Sequence, residues 1–573
     1  MKFKSVLVFA LFIVAALALS ACGSTDDTAT TPDTGVTAPG GDATTPADNN
    51  QQPIVVGQGG TVTHVSMSEA PHMDPIRQND SATGDLTIQM FEGLVAFSPY
   101  PYNEIVPLLA TSWSQPDNYT WEFNIRQGVY FHDGHALTAD AFAWSIQRLI
   151  DPREAAPGAF ILDMVTDVFA VDDHTLRIVT EFPFVPLVSH LTHQVGYVMS
   201  PAALANEVRQ QILDNDADYE LSAWQEEALA WADANDVPNE PSMITHRPIG
   251  TGPFRFVSRV SGDHTIMEAN PNHWRATPAI EQLIFRVVPD PITRFAMLQT
   301  GEAHTLALMP GDVMQLPLHP QIDPLNIAGT GIDYIGFNVA SGPLSDVRVR
   351  QALTHGLNPE SVIIGAYEGI GIPAVGPIGP NVLYSPHDAL IGTRPAFDPE
   401  AARALLAEAG FADGLDLVFW VNAGNAARLA TAEIAQAYWS QIGVNVTIEA
   451  LEWGVYLDET AAGNHDMFML GWTTITVDPD YGTFSLFHST TIGSPGNRTF
   501  FANPRVDELL MTGRMSSDSA VRQAAYFELT QILVEEAPWI WLRHPIHPWG
   551  SNGLNGFAVD FNNRPHFSNA SLR

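Results

Sequence analysis

Asp398-Pro399-Glu400-Ala401-Ala402-Arg403-Ala404-Leu405-Leu406-Ala407-Glu408-Ala409-Gly410 opens the stretch that settles the fold class. An acid that can cap, a proline at the first helical position and a second acid in the first turn mark a helix start. Ala401, Leu405, Leu406 and Ala409 then recur at helical spacing, and Gly410 is a natural C-terminal stop. Leu415, Leu417, Phe419 and Val421 alternate as in a strand. The pattern predicts a second helix over about 425–441, stopped by Gly443, and alternation resumes at Val444, Val446 and Ile448. A short helix over 453–462 and a buried strand over 467–470 complete a β-α-β-α-β series, the signature of an α/β unit with mainly parallel strands. Ligands of such units sit beyond the carboxyl ends of the strands. Trp472 and a loop over 473–482 are therefore expected at a pocket rim.

The preceding half is less regular. Trp121, Phe123 and Ile125 alternate, a short strand is expected at Val129-Tyr130-Phe131, and His132-Asp133-Gly134 reads as a turn. Thr138 is placed to cap a helix whose apolar face carries Phe142, Ile146, Leu149 and Ile150, ended by Asp151-Pro152. Further strands are expected over 175–180, 252–257 and 283–288, and an acidic helical insertion over about 206–239. No internal repeat is detectable.

At the other end of the chain, Lys2 and Lys4 precede an apolar run over 6–21 interrupted only by Ser20. The run is short for a membrane span and reads as an export leader. Leu19-Ser20-Ala21-Cys22 resembles a bacterial lipobox, in which the cysteine is lipidated; Cys22 is the only cysteine. Acyl chains there would anchor the protein to the outer face of the cytoplasmic membrane. Residues 23–52 are rich in Thr, Asp, Pro, Gly and Ala and nearly free of large apolar side chains, as in a flexible tether. A chain with one cysteine has no internal disulfide framework, so its body must be held by an apolar core. At 573 residues and 45% hydrophobic, it has the length for several domains.

The net charge is −38, and becomes −40 once Lys2 and Lys4 leave with the leader. Such a body is repelled by phosphate backbones, which argues against nucleic acid as a partner. The acidity is read as solubility rather than as attraction of a cationic ligand, because net charge does not locate the acids. Chemistry-bearing motifs are weak. Gly250-Thr251-Gly252 is too short for a phosphate loop and lacks its lysine, and neither His-Glu-x-x-His nor Gly-x-Ser-x-Gly occurs. The close pairs His544/His547 and His132/His135 read as structural, since nineteen histidines make such pairs by chance. Asp478 and Asp480, separated by Pro479, read as turn residues or ligand contacts rather than an acid and base. No catalytic residue, metal site or cofactor is expected, and an enzyme is the minor hypothesis.

Four blocks carry a family resemblance. The first runs from Leu109-Ala110-Thr111-Ser112-Trp113 through Trp121-Glu122-Phe123-Asn124-Ile125-Arg126 and Phe131-His132-Asp133-Gly134 to Leu137-Thr138-Ala139-Asp140. The second joins Pro248-Ile249-Gly250-Thr251-Gly252-Pro253-Phe254 to Asn270-Pro271-Asn272-His273-Trp274. The third is Gly336-Phe337-Asn338 with Val347-Arg348-Val349-Arg350-Gln351-Ala352-Leu353, and the fourth Gly471-Trp472 with Asp478-Pro479-Asp480-Tyr481. Together they resemble family 5 of the bacterial extracellular solute-binding proteins, which includes dipeptide, oligopeptide, glutathione and nickel binders.

The resemblance implies a two-lobed periplasmic-binding-protein fold of type II, cluster C-like, with an extra subdomain in the N-terminal lobe and hinge closure around a ligand. It divides the chain into a leader (1–21), a lipidated cysteine and tether (22–53), an N-terminal lobe (54–328 and 540–573) and a C-terminal lobe (329–539). The extra subdomain falls at about 76–190, and the lobes are joined by crossings near 329–337 and 537–544. The implied function is the substrate-binding subunit of an ABC importer, a monomer that captures a peptide-like ligand and hands it to permease subunits. A nickel, metal-complex or glutathione-like ligand, or a peptide sensor without transport, are the alternatives. The expected ligand contacts are Trp472, Thr474, Asp478, Asp480, Tyr481, Asn338 and Tyr367. In peptide-binding members an aspartate three residues after the tryptophan pairs with the peptide ammonium. Here that position is Ile475, so the expectation is either that Asp478 or Asp480 takes that role or that the ligand is a modified peptide, a glutathione-like molecule or a non-peptide.

Overall fold

In a computed structural model, the protein is described over residues 59–77, 80–98, 104–215, 219–240, 244, 247–493 and 496–573. The leader, Cys22 and the tether lie outside the described residues. Three sheets organise the body. A seven-stranded sheet runs in the order Ile322–Ala328, Ile546–Asn552, Thr305–Ala307, Thr61–Ser66, Gln282–Val287, His264–Ala269, Phe254–Val260. A six-stranded sheet runs Ile372–Pro373, Trp539–His544, Gly331–Phe337, Met467–Thr473, Leu415–Asn422, Val444–Leu451. A four-stranded antiparallel sheet runs Ala110–Ser114, Thr120–Ile125, Thr175–Thr180, Val165–Asp172. The first and second form the two lobes; the third, with the helix Ala139–Ile150, forms the added layer of the N-terminal lobe.

The C-terminal lobe follows its sequence pattern. Helices occupy Pro399–Glu408, Ala426–Ser440 and Trp453–Ala462. Leu415, Leu417, Phe419 and Val421 point into one core with Trp439, whose indole N–H donates to the Leu353 carbonyl at 2.9 Å. On the strand Met467–Thr473, Met467 and Met469 enter that core, while Phe468 and Leu470 enter a second one on the opposite face with Tyr334 and Trp539. The sheet is thus covered on both faces, which is why the strand reads as a continuous apolar run.

Several expectations are corrected. The six-stranded sheet is mixed rather than mainly parallel. Leu415–Asn422 pairs in parallel with both neighbours, but Gly331–Phe337 and Trp539–His544, which connect to the other lobe, lie antiparallel. The chain changes sheet at residues 329–330 and again at Pro545, so the expected lobe boundary at 540 falls inside a strand of the C-terminal lobe. Val129-Tyr130-Phe131 forms a single bridge, Tyr130 to Ala136, too short for a strand. Thr138 holds the N-cap position without a capping hydrogen bond from its side chain. The insertion contains helices Pro201–Asp214 and Ala223–Ala234.

At the two crossings the chains touch. The Gly329 N–H donates to the Pro545 carbonyl at 3.0 Å, and His544 Nδ1 lies 2.8 Å from the Gly331 carbonyl. A Cβ on Gly329 would sit 2.7 Å from His547 Nε2, so this close approach requires glycine.

Candidate functional site

The strand Met467–Thr473 is seven residues long, three more than expected, and it ends at the crossing. Thr473 pairs with Gly331 and Trp472 with Ile332, whereas its parallel neighbour is engaged only at Met467 and Phe468. The carboxyl end of a central strand is thereby carried past its parallel neighbour to the junction of the lobes, where Trp472 stands. Trp472 is half-buried and packs against both the second core of its own lobe and the core of the added layer. Its indole N–H is buried with no acceptor among the described residues. Gly482 makes room for this arrangement, since a Cβ there would meet Thr474 Oγ1 at 2.5 Å and the indole at 3.6 Å.

The loop after Trp472 is short. Asp478 caps a helix Pro479–Phe487, its carboxylate accepting from the Asp480 N–H at 3.0 Å. Residues 474–478 are held from several sides. The Thr474 N–H donates to the Thr330 carbonyl at 3.3 Å and the Val477 N–H to that of Thr474 at 3.1 Å. The Ile475 carbonyl accepts from the Asn562 amide at 2.7 Å, and the Thr476 carbonyl from the Ser189 hydroxyl. Val477, fully buried, has φ of 60°, a left-handed conformation costly for a β-branched residue. It packs with Ile327, Trp549, Val559 and Phe561 of the N-terminal lobe. Tyr481 is buried 5.5 Å from Trp472, with Phe160 stacked at 5.9 Å and His190 edge-on at 6.3 Å.

Asp478 and Asp480 are 2% and 1% exposed, and each faces an arginine of its own lobe. Arg522 reaches both oxygens of Asp478 at 2.8 Å. Arg514 meets Asp480 through Nε at 2.9 Å and Nη2 at 3.2 Å, and lies on the Phe484 ring at 3.5 Å. Burial opposes the Arg522 charge, and Asp478 outweighs it, so the guanidinium is held more firmly protonated than in water. His190, of the added layer, places Nε2 3.7 Å from Asp480; burial lowers its pKa while Asp480 pulls the other way.

Five of the seven expected contacts therefore converge: Trp472, Thr474, Asp478, Asp480 and Tyr481. Asn338 does not. It follows the far end of Gly331–Phe337, about 20 Å of strand from the crossing. Its amide is used locally, donating to the Gly463 carbonyl at 2.9 Å and accepting from the Ala340 N–H at 3.1 Å. Tyr367 is a core residue of its lobe. The Arg543 guanidinium, paired with Asp333 at 2.8 Å, lies 3.5 Å over its ring, and burial pushes the phenol up to about 12. The role expected of Asp478 and Asp480 is also corrected: both carboxylates are already neutralised by Arg522 and Arg514. Ser189, His190, Asn562 and Phe160 were not legible as site residues, because Ser189 lies 287 residues and Asn562 87 residues from its partner in this loop, and all four are brought in by lobe packing rather than by a local pattern.

Residues 104–494 match the profile of bacterial extracellular solute-binding proteins, family 5 Middle. The di/tripeptide-binding protein 2 of Pseudomonas aeruginosa (strain UCBPP-PA14) is 30% identical over 82% of this chain and 87% of its own. The dipeptide-binding protein of Escherichia coli (strain K12) is 27% identical over 90% of this chain and 95% of its own. Among solved structures, the ABC transporter-associated periplasmic binding protein DppA of Helicobacter pylori, in complex with the peptide STSA, superposes with a TM-score of 0.73. It is 25% identical, covering 90% of this chain and 99% of that one. With a matched profile over most of the body, a two-lobed fold and an aromatic junction at the end of a central strand, the chain belongs to the bacterial extracellular solute-binding proteins, family 5.

Proposed function

We propose that this chain is the extracytoplasmic substrate-binding subunit of an ABC importer and takes a peptide-type ligand between its lobes. One observation carries this reading. Trp472 is delivered by a central strand to the point where the lobes meet, beside Tyr481, with its indole N–H lacking an acceptor. A flat aromatic wall with one free donor suits a ligand held by its main chain and covered along one side. The 474–478 loop, part of the C-terminal lobe, is contacted by Asn562 and Ser189 of the N-terminal lobe, as a hinge-closing capture device requires. The names of the relatives, which bind dipeptides and tripeptides, point to the same ligand class. Unfolding the purified protein and identifying what it releases by mass spectrometry tests the reading. A released peptide or peptide derivative that rebinds unchanged supports it, and a chemically altered one contradicts it.

The membrane side of the proposal rests on the Leu19-Ser20-Ala21-Cys22 sequence and the polar stretch after it. Cys22→Ser is expected to release the protein from the washed membrane fraction with its ligand affinity intact. Retention of the variant would remove Cys22 as the anchor.

A further inference from the structure

The N-terminal lobe turns one imidazole toward the C-terminal lobe with a bare nitrogen. His190 ends the short helix Leu187–His190, and its Nδ1 lies 2.8 Å from the Ile161 carbonyl of the same lobe. A carbonyl only accepts, so Nδ1 carries the hydrogen and Nε2 keeps its lone pair. Nε2 is buried, makes no hydrogen bond among the described residues, and faces the Asp480 carboxylate of the other lobe at 3.7 Å. Tyr481, also of the C-terminal lobe, covers the ring edge-on. Asp480 is already held by two nitrogens of Arg514, and Asp478 by Arg522. Burial outweighs the pull of Asp480 and Asp478, and Arg514 opposes a second positive charge, so the closed junction lowers the pKa of this imidazole. Two neighbours complete the surroundings. His193 also faces Tyr481, but its Nδ1 accepts from the Val195 N–H at 3.2 Å within its own lobe, a bond that opening leaves in place. Asp163, exposed on the N-terminal lobe, lies in the field of Arg514, His190 and Asp480, and partial desolvation raises its carboxyl.

When the lobes part, water replaces Asp480 and Tyr481 at Nε2 and can accept from a protonated ring. The open form then takes up a proton near the ordinary imidazole value of about 6.5, and closing must expel it. Resting on the reading of ligand capture between the lobes, we infer that His190 couples lobe closure to proton release, so that acid favours the open, ligand-free form. The coupling is absent above about pH 7 and grows as pH falls through 6.5, toward a limit of about tenfold in affinity per pH unit. Asp163 responds with the opposite sign, because a carboxyl raised by the junction takes up a proton on closing.

Calorimetry with trialanine tests this, because the end groups of that peptide titrate well away from pH 6. Titrations at pH 6 in two buffers of different ionisation enthalpy count the protons exchanged on binding. The wild-type protein is expected to release protons, and to bind about threefold or more weakly at pH 5.5 than at pH 7.5. His190→Asn keeps a donor for the Ile161 carbonyl and cannot take up a proton; it is expected to lose both the release and the pH dependence. No release or net uptake by the wild type, or the same release from His190→Asn, overturns the inference and leaves capture between the lobes standing. The wild-type result decides alone if the variant fails to fold. If trialanine does not bind, the peptide reading fails, and small-angle scattering of the ligand-free wild type decides the inference separately. A radius of gyration that grows from pH 7.5 to pH 5.5 supports it, and a constant radius overturns it.

Discussion

Trp472 is the residue on which the site turns, and its environment explains why an indole is suited to it. It bridges two cores from two lobes, so its ring must be large, flat and ordered before the ligand arrives. Removing it would strip both the wall and its unpartnered indole N–H. Trp472→Ala is expected to weaken ligand binding by about 1–3 kcal/mol, the usual loss for a buried aromatic anchor. Isothermal calorimetry with the released ligand reads this, and unchanged affinity would move the pocket elsewhere. The importance of Trp472 was visible in the sequence, because the strand before it could be traced to its carboxyl end. The partners of Asp478 and Asp480 were not. Arg522 and Arg514 lie 44 and 34 residues further on, and only the packing of three helices brings them back. A carboxylate that looks available in sequence can be wholly spent in the fold.

At the scale of elements, the same signal occurs twice. Asp398-Pro399-Glu400 and Asp478-Pro479-Asp480 both place a capping acid before a proline and a second acid, and both start helices. The first is legible because an apolar helical stripe follows it. The second is followed by Tyr481, Gly482 and Thr483, which lack that stripe because the helix is buried on nearly every side. The two caps are expected to differ in energy for a stated reason. The Asp398 carboxylate accepts from the Glu400 and Ala401 N–H groups at 3.0 Å and has no ion pair among the described residues. Asp398→Ala should therefore cost about 1 kcal/mol, the ordinary price of a lost cap. Asp478→Ala loses a cap and leaves Arg522 charged, buried and unpaired, so about 3–5 kcal/mol is expected. Urea unfolding of the two variants compares them directly; equal losses would show that the Arg522 pair contributes nothing. The mixed sheet was not readable for a related reason. Its antiparallel members, Gly331–Phe337 and Trp539–His544, are separated by about two hundred residues, and their direction depends on where the other lobe lies.

For the whole molecule, buried imidazoles set a pH limit. Burial holds His64 and His193 down at about 3 and His465 and His544 at about 4. The unfolded chain takes up these protons near pH 6.5, before the folded one does, so stability is complete above 6.5 and is lost as pH falls toward 4. Each group contributes on the order of 1 kcal/mol per pH unit in that window. Asp85, which burial pushes up to about 7, acts with the opposite sign. The melting temperature is therefore expected to drop steadily from pH 7 to pH 4.5. A flat profile would mean that these imidazoles reach water in the native state.

The two-lobed plan itself makes the most direct demand. The lobes are joined at residues 329–330 and at Pro545, and the 474–478 loop is held to the N-terminal lobe by hydrogen bonds from Ser189 and Asn562 and by Val477 packed among Ile327, Trp549, Val559 and Phe561. Opening must part these contacts, and a ligand that touches both lobes shifts the population toward the closed form. Small-angle scattering of the ligand-free protein and of the same protein saturated with its released ligand measures that shift. The account predicts a smaller radius of gyration with ligand; an unchanged radius, with binding confirmed by calorimetry on the same sample, would contradict capture by lobe closure.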